Sequence, residues 1–257
     1  MKNVIYYFTG TGNSLSAAKK LAALLDGESE LRPIAALVGA GDIEVGPADT
    51  VGFVFPIYGS DTPWPVKEVG QHLKLTGEPY CWAIGTCNER GGTCMDTFTA
   101  FMARYGIRLS YAKKLDMPGN CMESNAAENA ERLELEESRV ALFARNINRR
   151  FVGSSHAADS PENTAEKTRA RFHGMLDAWK VDEERCTGCG LCAEVCPMGN
   201  ITLKDGHPVY GDKCAVCFAC FHFCPTQAVG TAMASLNSRS RYHHPEVTAA
   251  DIGAQRG

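Results

Sequence analysis

Two runs of four cysteines with the same spacing organise this sequence. The first run is Cys186-Thr-Gly-Cys189-Gly-Leu-Cys192-Ala-Glu-Val-Cys196-Pro197. The second run is Cys214-Ala-Val-Cys217-Phe-Ala-Cys220-Phe-His-Phe-Cys224-Pro225. Three thiolates on a tight loop can cap three corners of a cubane cluster of iron and sulfide, and the fourth cysteine begins the return of the chain. The repeated pattern therefore predicts [4Fe–4S] clusters.

Zinc and disulfides are the competing uses of closely spaced cysteines. Structural zinc also selects Cys-x2-Cys pairs, but one ion needs only four ligands and does not explain two identical runs that both end in proline. Disulfides persist in oxidising compartments, and the apolar run Val4–Phe8 is too short for a secretory signal. The sequence therefore favours iron–sulfur clusters and a cytoplasmic location.

Residues 181–230 resemble bacterial two-cluster ferredoxins. In that family the fourth cysteine of each run ligates the other cluster, so the resemblance implies two crossed ligand sets. The expected sets are Cys186, Cys189, Cys192 and Cys224 for one cluster, and Cys214, Cys217, Cys220 and Cys196 for the other. Gly188 and Gly190 would let backbone N–H groups approach the cluster sulfurs.

Composition excludes some classes of partner. The 257 residues are 44% hydrophobic and 22% charged, as in a globular protein with one large or two ordinary domains. The net charge of −4 gives no reason to expect nucleic acid. No apolar run reaches the roughly 18 residues that a membrane helix needs, so we expect no membrane insertion. The cysteines outside the two runs are Cys81, Cys87, Cys94 and Cys121.

The N-terminus joins an apolar strand to a loop of small residues, Thr9-Gly10-Thr11-Gly12-Asn13-Ser14, which precedes a helical pattern. Backbone N–H groups, hydroxyls and the positive end of a helix dipole make such a loop an anion cradle. It lacks the Gly-Lys-Ser/Thr of a Walker A loop, and Leu15 stands where a dinucleotide fingerprint has its third glycine. An ordinary glycine turn is the alternative.

This loop resembles the FMN phosphate loop of flavodoxins, Ser/Thr-x-Thr-Gly-x-Ser/Thr, with every position filled. Four more strands are predicted, at Leu31–Leu37, Thr50–Pro56, Pro79–Thr86 and Gly106–Leu115. They give the flavodoxin-like strand order 2-1-3-4-5, in which ligands bind beyond the carboxyl ends of the strands.

The resemblance implies that the loops after the third and fourth strands flank the flavin ring. The candidate contacts there are Pro56, Tyr58, Gly59, Thr86, Asn88, Gly91 and Gly92. Tyr58 is the first candidate for stacking on the ring, and Trp64 is the second. The alternative is that both aromatic residues only pack against the protein.

The remaining chain separates the two motifs. A helix is predicted at about Ala126–Phe151 with Asn125 and Glu128 as its capping pair, followed by a linker and a connecting helix at Thr164–Trp179. We expect four segments: a flavodoxin-like FMN-binding domain at 1–152, a linker and helix at 153–180, a two-cluster ferredoxin domain at 181–232, and a tail at 233–257 that folds back across both domains. The fold class is α/β, a flavodoxin-like doubly wound parallel sheet followed by a small α+β ferredoxin domain.

The whole chain resembles the fused flavodoxin–ferredoxin proteins of anaerobes. The resemblance implies FMN, two [4Fe–4S] clusters and redox protein partners, with electrons passing between clusters and flavin and with no catalytic side chain. The alternative function is an FMN-dependent reductase of a small substrate that receives its electrons through the clusters. Cys87 and Cys94, beside the predicted flavin loop, keep that alternative open.

Overall fold

The structure, a computed structural model, describes residues 1–88, 91–121, 125–154, 160–161, 163–175, 179–232, 237 and 240–257. The strands of its N-terminal part are β1 (Lys2–Tyr7), β2 (Glu28–Pro33), β3 (Ile43–Val45), β4 (Thr50–Pro56), β5 (Leu73–Leu75), β6 (Tyr80–Cys87) and β7 (Leu109–Asp116). Five of them form one sheet in the order β2-β1-β4-β6-β7, with every neighbouring pair parallel. That order is the flavodoxin-like 2-1-3-4-5, so the predicted fold class is confirmed.

The central strands are buried because their side chains are apolar on both faces of the sheet. Tyr6 on β1, Phe53 on β4 and Trp82 on β6 are among the largest fully buried side chains. A Cβ at Gly52 would lie 2.2 Å from the Trp82 ring, so glycine makes room there for the indole. The sheet therefore supplies a packed core that fixes where each strand ends.

The strand predicted at Pro79–Thr86 is shifted by one residue, to Tyr80–Cys87, and two other predicted strands begin three residues away from their observed starts. The strand predicted at Leu31–Leu37 is β2 at Glu28–Pro33, and Ile34–Leu37 is a 3-10 turn. Pro33 has no N–H to continue the ladder, and β2 lies at the sheet edge, where its polar residues face solvent. The strand predicted from Gly106 begins at Leu109 instead, because Gly106 ends the preceding helix with a φ of 81°.

The helices up to the cysteine-rich part are α1 (Asn13–Leu24), α2 (Trp64–His72), α3 (Cys94–Arg104), α4 (Ala126–Asn148) and α5 (Ala165–Met175), and α5 packs against α2. The α4 helix begins as predicted, since the Asn125 side chain accepts a hydrogen bond of 2.8 Å from the Glu128 N–H. It ends before the predicted Phe151. Within the described residues, none of the helices combines the length and apolar character that crossing a bilayer requires.

The C-terminal part consists of short elements: β8 (Lys180–Val181), α6 (Leu191–Glu194), β9 (Ile201–Lys204), β10 (His207–Tyr210), α7 (Ala219–His222), β11 (Val229–Gly230) and α8 (Ala249–Gly253). The β9–β10 hairpin turns at Asp205 and Gly206, a dipeptide typical of hairpin turns, and these residues have positive φ angles of 51° and 81°. Strands β8 and β11 pair antiparallel.

The cysteine-rich part has a small apolar cluster of its own and also contributes residues to the core of the sheet. The buried cluster of the sheet includes Val195, Cys217 and Phe223 from the cysteine-rich part. It also includes Val247 and Ile252 from the C-terminal segment, residues 241–257. The C-terminal segment therefore folds back onto the N-terminal part, and the cysteine-rich part docks against the sheet.

Candidate iron–sulfur centre and phosphate loop

The structure groups the cysteines across the two runs. The outer cysteine set, Cys186, Cys189, Cys192 and Cys224, surrounds about 340 Å³ of atom-free space together with Leu203 and Val229. Cys189 is exposed to solvent. Gly188 and Gly190 have φ angles of 68° and 79°, so glycine permits the tight loop that turns three of these thiols inward.

The inner cysteine set consists of Cys196, Cys214, Cys217 and Cys220. Together with Trp179, Tyr210 and Phe218 it lines about 300 Å³ of atom-free space. Apart from the half-buried Cys214, its thiols are buried. The N–H groups of Val216 and of the Trp179 indole each lie 3.3 Å from the Cys214 sulfur, and the N–H of Asn200 lies 3.3 Å from the Cys196 sulfur. Hydrogen bonds of this kind stabilise thiolate ligands and adjust a cluster's reduction potential.

The loop that carries Cys214 and Cys217 of the inner set has a strained backbone. Val216 and Phe218 have φ angles of 54° and 62°, which are uncommon for bulky or β-branched side chains. The strained turn brings the Val216 N–H to the Cys214 sulfur. Strain of this kind persists where the surrounding structure enforces it, as at ligand sites.

The spacing of the thiols distinguishes among the possible uses of the cysteines. A tetrahedral zinc ion with Zn–S bonds of about 2.3 Å holds its sulfurs about 3.8 Å apart. Among the described residues, no three cysteine sulfurs lie within 4.8 Å of one another, and none of the twelve cysteines forms a disulfide. The two sets are therefore too open for one zinc ion, whereas a cluster of four irons needs a wider cage.

Burial makes the inner thiols poor acids without a cation. Burial raises the pKa of Cys217 and Cys220, and the neighbouring cysteines of the same set raise it further. In the outer set, burial also acts to raise the pKa of Cys224, but backbone N–H groups near Val229 outweigh it and lower the pKa. Four thiolates together therefore require a compensating positive charge, which the iron ions of a cluster supply.

The inner set docks at the carboxyl ends of the sheet strands. The Trp64 indole N–H donates to the Cys214 carbonyl at 3.0 Å, and the Asn120 amide donates to the Cys217 carbonyl at 3.4 Å. Gly10 packs so closely on Cys217 that a Cβ there would lie 2.1 Å from its carbonyl oxygen. The Trp64 side chain is therefore part of this interface.

The loop Thr9–Ser14 is buried at every residue. Gly12 has a φ of 99°, and the Gly12 N–H donates to the Thr9 hydroxyl at 3.1 Å. Among the described residues, the backbone N–H groups of Thr11, Asn13 and Ser14 have no hydrogen-bond acceptor. Because unpaired buried N–H groups are rare, these donors fit an anion such as a phosphate.

Among the other candidate flavin residues, Thr86 contacts this loop. Thr86, at the end of β6, shares a hydrogen bond of 2.8 Å between its hydroxyl and that of Ser14. Tyr58 is half-buried, and burial raises the pKa of its hydroxyl, which lies near Asn120 and Cys217 without a regular hydrogen bond. Gly59 and Gly92 are exposed, Gly91 is buried, and Pro56 and Asn88 are half-buried.

Sequence reasoning missed the residues that cover the loop. The Gln255 side chain pairs with the backbone of Thr9, and Tyr242 and His244 bond to Asn13 and Thr11. Only the expectation of a folded-back tail pointed to them. Single polar residues far along the chain carry no periodic signal that could have identified them.

Comparisons with known proteins agree with the cysteine geometry. A family model described as a 4Fe-4S binding domain matches residues 179–202. A Methanocaldococcus jannaschii ferredoxin is 43% identical over 54 residues, covering 19% of this chain and 70% of that protein. A ferredoxin-like protein of Azotobacter vinelandii is 37% identical over 54 residues, covering 19% and 83%. The Escherichia coli protein UacF is 33% identical over 85 residues, and the chain spans only 13% of its length.

Solved structures are similar to the N-terminal part at low identity. A Megasphaera elsdenii flavodoxin shares 20% identity with a TM-score of 0.32, covering 55% of this chain and 98% of that one. An NAD(P)H:quinone oxidoreductase of Methanothermobacter marburgensis shares 12% identity with a TM-score of 0.37, covering 57% and 96%. The strand order β2-β1-β4-β6-β7 by itself identifies the flavodoxin-like fold of this part.

Cysteine geometry, family model and relatives together define a ferredoxin module docked on a flavodoxin-like sheet. Through that module the chain belongs to the 4Fe-4S ferredoxin family.

Proposed function

We propose that this chain is an electron-transfer iron–sulfur flavoprotein that passes low-potential electrons between two [4Fe–4S] clusters and FMN. The outer and inner cysteine sets hold one cluster each. FMN binds at Thr9–Ser14, with Pro56, Tyr58, Gly59, Thr86, Asn88, Gly91 and Gly92 around its ring. The segments 1–152, 153–180, 181–232 and 233–257 are the flavin domain, connector, ferredoxin domain and tail of a cytoplasmic protein.

The observation that carries the proposal is the succession of the sites. The outer set opens to solvent at Cys189, the inner set is mostly buried, and the inner set contacts Gly10 of the phosphate loop. An electron arriving from a partner therefore has a route from the surface through the ferredoxin module to the carboxyl end of the sheet. Ligands of this fold bind at that end.

The fit of FMN has two aspects. The unpaired N–H groups of Thr11, Asn13 and Ser14 suit its phosphate, whereas the C-terminal segment takes the space over the loop. When bound, FMN carries one or two electrons, while each cluster carries one. The contribution of the chain is to bind and orient these groups.

The partner face is acidic. Asp182, Glu183 and Glu184 are exposed beside the outer set, against Arg185 as the neighbouring base. Cluster thiolates add further negative charge, so this face attracts a basic redox protein, and salt screens the attraction.

Cys94, one of the two thiols behind the reductase alternative, is buried. Burial raises the pKa of the Cys94 thiol to about 12, although the Thr62 hydroxyl, 3.4 Å from its sulfur, opposes the shift. Cys94 is therefore a protonated packing residue at neutral pH, not a nucleophile. We assign no catalytic side chain.

The proposal is tested by electron transfer from the dithionite-reduced protein to a basic haem protein under argon. The rate should fall as salt rises, and Glu183→Lys should lower it about tenfold at low salt. The matched control is Glu131→Lys on the exposed face of α4, which leaves the acidic face intact.

Equal rates for both variants at all salt concentrations would contradict the proposed partner face. Saturable turnover of a small molecule that depends on Tyr58 or Cys87 would favour the reductase instead.

A further inference from the structure

A C-terminal segment, residues 241–257, lies across the predicted phosphate loop. The Gln255 side-chain oxygen accepts a hydrogen bond of 2.9 Å from the Thr9 N–H, and the Gln255 side-chain nitrogen donates one of 3.0 Å to the Thr9 carbonyl. Gln255 is 0% exposed and Thr9 is 1% exposed. One amide side chain therefore pairs with the loop backbone as a neighbouring strand would.

Three more residues of the segment cover the rest of the loop. The backbone N–H of His244 donates to the Thr11 carbonyl at 2.8 Å, and the Tyr242 hydroxyl donates to the Asn13 side-chain oxygen at 2.7 Å. A Cβ at Gly12 would lie 2.8 Å from the Val247 Cβ. With these contacts in place, every residue of the loop is buried.

Charged groups fasten the segment to the N-terminal part. The buried Glu136 carboxylate lies 3.0 Å from the His244 ring and 2.6 Å from the Lys20 ammonium. Lys20 also lies 3.0 Å from Glu246. The Lys20 ammonium therefore bridges Glu136 on α4 and Glu246 of the segment, and the three side chains hold the segment against the N-terminal part.

The covered loop still carries unpaired donors. The N–H groups of Thr11, Asn13 and Ser14 have no acceptor among the described residues, so the segment closes the loop without satisfying it. An anion would pair with these donors, and Val247 and Gln255 lie against the same loop.

We infer that the C-terminal segment and the FMN phosphate compete for the loop, so that FMN binds only after residues 241–257 have moved away. This inference rests on the proposed FMN site and adds a regulatory step to it. The closed form is a cluster-only electron carrier, and the open form binds the flavin. Apparent flavin affinity is then the intrinsic affinity reduced by the open fraction.

The test is equilibrium dialysis of FMN against the full chain with its clusters in place. Gln255→Ala removes two hydrogen bonds from the closed form, so the FMN dissociation constant should fall about tenfold. Val247→Asp, which buries a charge against Gly12, should have the same effect through a different contact. The matched control is Gln71→Ala, whose side chain bonds to His72 on α2 and should leave the constant unchanged.

Hydrogen exchange of residues 241–257 provides the second measurement. Under the competition, added FMN increases exchange in this segment. FMN bound with the segment equally or more protected would overturn the competition while leaving the flavin site intact. Failure of wild type and both variants to bind FMN would overturn the flavin site and, with it, the competition.

Discussion

Gly10→Ala tests the interface between the inner cysteine set and the sheet. The new Cβ would lie 2.1 Å from the Cys217 carbonyl oxygen and 2.9 Å from the Cys217 Cβ. Overpacking typically costs about 1–3 kcal/mol, and a backbone carbonyl cannot rotate away as a side chain can. We therefore expect the free energy of unfolding to fall by about 3 kcal/mol. Relieving the clash would require the ferredoxin module to move and break the hydrogen bond between the Trp64 indole and the Cys214 carbonyl.

Urea denaturation under argon, followed by circular dichroism and by cluster absorbance, measures this loss. With a denaturant slope of about 2–3 kcal/mol/M, the midpoint should fall by roughly 1 M. Gly46→Ala is the control, since no atom lies within 4 Å of its added Cβ, and it should be neutral or slightly stabilising. Identical midpoints for the two variants would refute the close docking of Cys217 on Gly10.

Two further predictions concern the cluster ligands and the C-terminal segment. Cys196→Ala should lose the cluster of the inner set and keep that of the outer set, seen as half the iron and one remaining paramagnetic signal. Loss of the outer cluster would contradict the crossed ligation. For Glu136, burial raises the pKa, but hydrogen bonds from His244, Lys20 and Ser16 outweigh it and lower the pKa below 4.5. Docking of the segment should therefore be intact above pH 4.5 and weaken as the pH falls through the folded-state pKa. Hydrogen exchange of residues 241–257 would show this, and Glu136→Gln should flatten the dependence.

Patterns that repeat locally were readable from the sequence. The cysteine spacing gave two equivalent loops, and the apolar runs of β1, β4 and β6 gave the central strands. Asp205-Gly206 gave the hairpin turn, because the two positive φ angles there suit those residue types. Each of these signals lies within a short window, where the side-chain period or the turn chemistry decides the structure.

Features that depend on distant partners were not readable. The sequence predicts that the second strand begins at Leu31, three residues after its observed start, because Glu28–Glu30 is polar. Polar residues fit this strand because β2 lies at the edge of the sheet. The short strands β3 and β5 pair in parallel, and no local sequence pattern predicts this pairing. Gln255 fits Thr9 only because the whole intervening chain folds first.

The pairing of Thr9 with Gln255 has a consequence for biosynthesis. A ribosome makes the sheet and its phosphate loop long before it reaches Gln255, and domains generally fold as they emerge. The nascent chain therefore passes through a stage in which the N–H groups of Thr11 and Ser14 are bare and the loop is open. Small anions and flavin have free access to the loop during that interval, before the segment that covers it has been made.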